Sequence, residues 1–98
     1  MSGASPSSWE ANRWVRDMRV LSRSGAFGVV LVGRHGARAV TLQGTGVELW
    51  AALATPHSDA ELIAEFAQRY GADPGVVAAD LIPVLDELRA SALIAPVT

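Results

Sequence analysis

Hydrophobic residues recur every three to four positions through the second half of the chain, which is the period of an α-helix. The pattern predicts three helices there, a short one that carries Trp50 and two longer ones. The longer helices begin at Ser58, the first residue of a capping box, and at Asp73, an N-cap residue that Pro74 follows. Pro83 lies inside the last helix, where we expect a kink and no break because the apolar period continues beyond it.

The first half of the chain has short apolar runs separated by glycine turns, a pattern typical of β-strands. The runs predict strands at residues 18–22, 27–32 and 38–42, with the first turn at Ser24 and Gly25. Their short connections favour an antiparallel meander. The predicted fold class is therefore α+β, a three-stranded antiparallel sheet followed by three helices, which is the layout of a winged helix-turn-helix domain.

The residues before the predicted sheet form a separate part of the chain. Residues 1–8 are small and polar, which predicts disorder at the terminus. Residues 9–17 are typical of a short helix or of an arm docked through Trp9 and Trp14. We expect a flexible or docked arm at 1–17 and one peptide-binding domain at 18–98, with Leu93 and Ile94 packed back against the helices.

Charge is unevenly distributed although the net charge is only −2. Residues 1–43 have a net charge of about +4 and residues 44–98 of about −6. The absence of cysteine excludes disulfides, thiol catalysis and zinc sites with cysteine ligands. No apolar run has the roughly 18 residues of a membrane span, and the N-terminus lacks the pattern of a secretory signal. These features predict a cytoplasmic protein without a membrane partner.

No residue pattern indicates catalysis or cofactor binding. His35 and His57 lie in separate predicted turns, and a metal site needs more converging ligands than two. Asp80 and Glu87 lie about two helical turns apart, which is far for an acid–base pair. The glycines belong to predicted hairpins, and no helix follows them as a phosphate loop requires. We expect no enzyme activity, no metal site and no cofactor.

The predicted last helix is too acidic for a DNA-recognition helix. Such a helix presents positive charge to phosphates and polar side chains to base edges. This one has Asp80, Asp86 and Glu87, with Arg89 at its far end. We therefore expect no nucleic-acid partner. A winged-helix DNA-binding regulator is the alternative to the function developed next.

A peptide-binding module fits the predicted architecture better. Residues 38–42 are expected to form an edge strand, whose unpaired N–H and C=O groups can accept a strand from a partner. Apolar side chains of the last helix could form the floor of a groove beside it, although Leu81, Leu85 and Leu88 are expected to belong to the core. A third possibility is a structural subunit that docks on an enzyme through its N-terminal tryptophans.

The helical half of the chain also resembles the PqqD family, the small winged-helix domains called RiPP recognition elements. The matching positions are Trp50, 58–63, Tyr70, Gly71, Asp73, Pro74, Ala79, Asp80, Val84, Leu85, Glu87, Leu88, Leu93 and Ile94. The resemblance covers residues 19–94 and is more specific in the helices than in the strands.

The resemblance implies a protein that binds the leader segment of a ribosomally made precursor peptide. In the family, the leader adds an antiparallel strand to the third strand, beside the third helix, and is presented to a leader peptidase or other modifying enzymes. A free-standing domain of this size is most similar to those of lasso-peptide pathways.

The resemblance also implies the site residues by position. The backbone groups expected to pair with the leader are those of Arg38, Ala39, Val40, Thr41 and Leu42. The side chains expected to line the groove are those of Val77, Asp80, Leu81 and Val84. We expect Val40→Pro to weaken leader binding without unfolding the domain.

Overall fold

The computed structural model describes residues 12–33 and 39–97. Its strands are β1 (Arg13–Arg16), β2 (Leu21–Gly25), β3 (Gly28–Val32), β4 (Ala39–Leu42) and β5 (Ile94–Val97). Its helices are α1 (Thr45–Ala52), α2 (Asp59–Tyr70) and α3 (Pro74–Ala90). Within the described ranges the fold is α+β, with a three-stranded antiparallel sheet in the order β2-β3-β4, three helices, and a two-stranded sheet of β1 and β5.

The three-stranded sheet confirms the predicted antiparallel meander, but its first strand begins later than expected. β2 starts at Leu21, whereas the sequence predicted a start at Met18. A turn occupies the preceding residues, because the Asp17 carbonyl accepts the Val20 N–H at 3.0 Å and the Asp17 carboxylate accepts the Arg19 N–H at 2.8 Å. The local hydrogen bonds of Asp17 therefore delay the strand.

The turn between β2 and β3 lies at Ala26 and Phe27, two residues beyond the predicted position. Gly28 opens β3 with a φ angle of 127°, and a Cβ atom there would collide with the carbonyl oxygen of Leu42. Glycine therefore lets β3 approach β4 closely at this point.

The two-stranded sheet was not predicted from the sequence. β1 pairs antiparallel with β5, and Trp14 exchanges two backbone hydrogen bonds with His57, at 2.8 and 3.0 Å. The helical alternative for residues 9–17 is therefore wrong over β1, which docks as a strand, while Trp9 lies outside the described residues. Leu93 and Ile94 are buried, as expected, with Ile94 opening β5.

The two longer helices begin at their predicted caps. The Ser58 hydroxyl accepts the Glu61 N–H at 3.0 Å, and the Glu61 carboxylate accepts the Ser58 N–H at 2.8 Å, which confirms the capping box. Gly71 ends α2 with a φ angle of 60°, and Pro74 is the first residue of α3. α3 continues unbroken through Pro83 to its end.

The core lies between the helices and the inner face of the three-stranded sheet. The buried residues of α3 are Val77, Leu81, Leu85 and Leu88. They belong to one cluster with Val29, Leu31, Val40, Leu42, Leu62 and Phe66. Each fully buried side chain of this size stabilises the fold by about 1.5–3 kcal/mol. Because Leu85 takes the core position, Val84 on the neighbouring face stays half-buried and available to a groove.

We expect Ser58→Ala to lower the free energy of unfolding by about 1 kcal/mol, because the helix loses its N-cap acceptor. Urea unfolding followed by circular dichroism measures this difference. Ser24→Ala, at an exposed position of β2, is the matched control and should change the stability by less than about 0.5 kcal/mol. Equal effects of the two substitutions would show that the capping box contributes nothing.

Candidate functional site

β4 is an edge of the three-stranded sheet. It pairs with β3 on one side, and no strand of the described chain pairs with its other side. The register of the β2–β3 hairpin determines which backbone groups of β4 face that open edge. Gly25 and Gly28 are partners across a two-residue turn, so they exchange both backbone hydrogen bonds. Since bonding alternates along an antiparallel ladder, the N–H and C=O groups of Val29 and Leu31 point away from β2 and toward β4.

The β4 partners of those two β3 residues are Leu42 and Val40. Their backbone groups are therefore used inside the sheet, and their side chains are buried. Ala39 and Thr41 alternate with them, so their N–H and C=O groups face the open edge, and their side chains are exposed. Arg38, the remaining residue of the predicted strand, lies outside the described residues.

This register corrects the expectation for Val40→Pro. Proline at this position would remove a hydrogen bond within the sheet and disturb a side chain that is only 5% exposed. The substitution would therefore destabilise the fold itself. Proline at Thr41 would remove an outward N–H group, which is the arrangement in which edge strands tolerate proline.

An open groove of about 230 Å³ lies between β4 and one face of α3. Its lining residues are Val40, Thr41, Leu42, Gln43, Gly46, Pro83, Val84 and Glu87. Four residues of the site expected from the sequence are thus brought together here, three from β4 and Val84 from α3. The groove is bounded by a strand edge that can form hydrogen bonds and by a helix face that offers apolar contact.

The site residues expected from the sequence did not include Pro83 and Glu87, which both line the groove. Both lie within one helical turn of Asp80 or Val84, on the same side of α3, so the helical period contained the signal. Gly46 was also missed. A Cβ atom there would lie 3.5 Å from the Leu42 side chain, an ordinary contact with another lining residue.

A second cavity, of about 220 Å³, lies beside the first half of α3. Its lining residues are Thr45, Phe66, Tyr70, Ala72, Val76, Val77, Asp80 and Leu81. The other three α3 residues of the expected site, Val77, Asp80 and Leu81, line this cavity and not the groove beside β4, whereas Ala39 lines neither. Val77 and Leu81 are buried and form its floor, whereas Asp80 is exposed at its edge.

The groove and the second cavity follow one another along α3. Thr45 lines the second cavity, and the next residue, Gly46, lines the groove. On α3, Asp80 lines the second cavity, and Pro83, about one turn later, lines the groove. A ligand strand lying on β4 would therefore reach the second cavity by continuing past Leu42.

An acidic residue of α1 and one of α2 form ion pairs with the same arginine. Arg69 binds Glu65 at 2.7 Å and Glu48 at 3.2 Å. The Tyr70 hydroxyl donates a hydrogen bond to Glu48, and this bond raises the pKa of Tyr70. The Tyr70 hydroxyl, which lines the second cavity, therefore stays protonated and donates its hydrogen to Glu48.

Asp80 and Glu87 stand apart from this pattern. Among the described residues, Asp80 is the one charged residue that lines the second cavity and Glu87 the one that lines the groove. Neither has an ion-pair partner in the part of the chain that the structure describes. The site is therefore apolar, with a strand edge on one side and two carboxylates along the helix.

The described residues contain no group of three or more His, Asp or Glu side chains that could hold a metal ion. No helix within the described ranges is both long enough and apolar enough to cross a membrane. What the site offers is hydrogen bonding to an extended backbone, apolar contact and negative charge.

Comparison with known families identifies the chain. A family model described as "Coenzyme PQQ synthesis protein D (PqqD)" matches residues 28–94, about two thirds of the chain. The chain belongs to the PqqD family. The match runs from the start of β3 to the start of β5 and includes β4, α3 and both cavities.

The predicted resemblance to a PqqD-like RiPP recognition element is thereby confirmed. PqqD-like proteins are non-catalytic recognition proteins that bind precursor peptides and act with the modifying enzymes of their pathways. No significantly similar protein was found among curated proteins or among solved structures.

Proposed function

We propose that this PqqD-like protein binds the leader segment of a ribosomally synthesised precursor peptide as an added antiparallel strand on β4, in the groove beside α3. The observation that carries the proposal is the open edge of β4, where Ala39 and Thr41 present N–H and C=O groups next to an apolar groove. In this mode of recognition, main-chain hydrogen bonds supply affinity and side-chain pockets supply specificity.

The residues of the expected site have two roles in the proposal, backbone pairing on β4 and side-chain contact on α3. The leader backbone pairs with the strand predicted at residues 38–42, through the groups that face outward. Val84 contacts leader side chains in the groove, and Val77, Asp80 and Leu81 contact those that reach the second cavity. Each apolar leader side chain that becomes fully buried would contribute about 1.5–3 kcal/mol to binding.

The proposal includes a winged helix-turn-helix architecture for residues 18–98. Its support is the pair α2 and α3, joined by only three residues, together with the hairpin of β2 and β3. Residues 1–17 would form an arm, whose described part docks through the pairing of β1 with β5.

We place the protein in the cytoplasm, where it would deliver the leader to a leader peptidase or another modifying enzyme of lasso-peptide-type biosynthesis. The support for an accessory role is the family, whose members are non-catalytic. The support for the lasso type is the resemblance of the helical segment.

The charges of the described helices give no support to DNA binding. Arg89 is bound to Asp59 and Asp86, and Arg69 to two glutamates, so neither arginine is available to phosphates without losing an ion pair. The groove face of α3 instead carries two carboxylates, which would repel a phosphate backbone.

NMR titration of ¹⁵N-labelled protein tests the proposal. The leader of the precursor peptide encoded beside the gene is added to one sample and a duplex DNA to another. We expect the leader alone to shift amide signals, with the largest shifts at residues 39–42 and 76–88. Shifts with DNA and none with the leader, or leader shifts confined to β1 and β5, would overturn the proposal.

A further inference from the structure

The second cavity has a lining that suits a long basic side chain. Its walls include Phe66, Val76, Val77 and Leu81, and Asp80 supplies the one carboxylate among its described lining residues. Lysine and arginine place their methylene stems along apolar surface and keep the charged group at its edge. Since Val76 is 57% exposed and Asp80 is also exposed, a ligand can reach both from solvent.

Glu87 gives the groove beside β4 a similar character. The other lining residues that the structure describes are apolar or neutral and polar, so the Glu87 carboxylate is the only charge among them. Other acids of the helices bind arginine, namely Glu48, Asp59, Glu61, Glu65 and Asp86. Asp80 and Glu87 make no such pair among the residues that the structure describes, so no arginine of that part of the chain already neutralises them.

The direction of α3 fixes the order in which a ligand strand meets the two acids. Glu87 lies in the groove with the β4 residues Val40, Thr41 and Leu42, whereas the cavity that contains Asp80 is lined by no residue of β4 and by Thr45, which follows the strand. α3 therefore runs opposite to β4. A peptide that adds antiparallel to β4 runs in the same direction as α3 and meets Asp80 first.

The spacing of the acids sets the spacing of their partners. Asp80 and Glu87 are seven residues apart, which corresponds to about 10 Å along a helix. An extended peptide covers this distance in about three residues. Because successive side chains of a strand face opposite sides, partners that both face α3 are separated by an even number, about two or four residues.

We infer that the leader is recognised through two basic side chains about two or four residues apart, the N-terminal one at Asp80 and the C-terminal one at Glu87. The inference rests on the proposed function and deepens it, because it names the chemical class of the leader segment. It makes the site selective for basic leader segments and against acidic ones, with an affinity that decreases as salt concentration increases.

Selection from a display library of random 20-residue peptides on the immobilised full-length protein tests the inference. Peptides enriched on the wild-type protein should carry two Lys or Arg residues at the stated spacing. Asp80→Asn should remove the enrichment at the N-terminal basic position only, and Glu87→Gln at the C-terminal one only. A synthetic copy of the most enriched peptide should bind each variant about two- to fivefold more weakly, the scale of an exposed ion pair.

Asp73→Asn is the matched control, since Asp73 is an exposed acid at the N-terminus of α3 that lines neither cavity. Asparagine is an equally good N-cap residue, so selection and affinity should stay at the wild-type level. Enriched peptides that lose binding to Thr41→Pro but show no basic preference would overturn the charge inference and leave strand addition standing. Failure to enrich peptides that depend on Thr41 would overturn the proposed function itself.

Discussion

Thr41→Pro is expected to weaken leader binding by at least about tenfold while the domain stays folded. The Thr41 N–H faces the open edge of β4, so proline removes a donor that the sheet itself does not use. A leader carbonyl left without its partner costs about 1–3 kcal/mol, and the proline ring also obstructs the approach of the strand. Fluorescence anisotropy with a labelled leader measures the affinity, and circular dichroism checks the fold.

Two further variants are controls, one for leader binding and one for folding. Thr41→Ala keeps the N–H group and should bind the leader within about twofold of the wild-type protein. Val40→Pro should lower the thermal midpoint of unfolding, because the Val40 N–H belongs to the sheet and the side chain to the core. If folded Thr41→Pro bound the leader as tightly as the wild-type protein, the leader would not be an added strand on β4.

Arg89→Ala is expected to lower the free energy of unfolding by about 3 kcal/mol. The Arg89 guanidinium donates to both carboxylate oxygens of Asp59, at 2.9 and 3.1 Å, and these side chains are 21% and 10% exposed. Removing one partner leaves a nearly buried carboxylate without a counterion, which is strongly destabilising. The same guanidinium lies 5.1 Å from the ring of Trp14, so the substitution also loosens β1.

Arg13→Ala is the matched control, because it removes an ion pair that is exposed to solvent. Arg13 binds Glu61 at 2.9 Å through side chains that are 57% and 43% exposed, so its loss should cost no more than about 1 kcal/mol. Urea unfolding of both variants gives the comparison. If Arg89→Ala lost no more stability than Arg13→Ala, the Asp59 pair would not hold the ends of α2 and α3 together.

The sequence predicted the helices better than the sheets because the helix signals are local. The capping box at Ser58, the glycine at residue 71 and the proline at residue 74 each act within one turn of the chain. The pairing of β1 with β5 joins opposite ends of the described chain, and strands of four residues carry too little pattern to reveal a distant partner. The hydrogen bonds of Asp17, which delay β2, likewise leave little trace in the apolar pattern.

The resemblance supplied the residues of the expected site, but not their arrangement. The resemblance indicated β4 and α3, and the structure brings Val84 to the groove beside β4. It places Asp80 and its neighbours in a second cavity, because they lie nearer the N-terminus of α3 than the groove residues do. Whether Val40 or Thr41 faces the open edge depends on the register of the β2–β3 hairpin, and a shift of one residue would exchange their roles.

Amide hydrogen exchange measured by NMR, with and without the leader, tests the central claim most directly. In the free protein the Thr41 N–H points out of the sheet and should exchange quickly, whereas the Val40 N–H is already bonded to β3. If the leader adds as a strand on β4, saturation with it should slow exchange at Thr41 by at least about tenfold, because its N–H gains a hydrogen-bond partner. An unchanged exchange rate at Thr41 in the saturated complex would contradict the account.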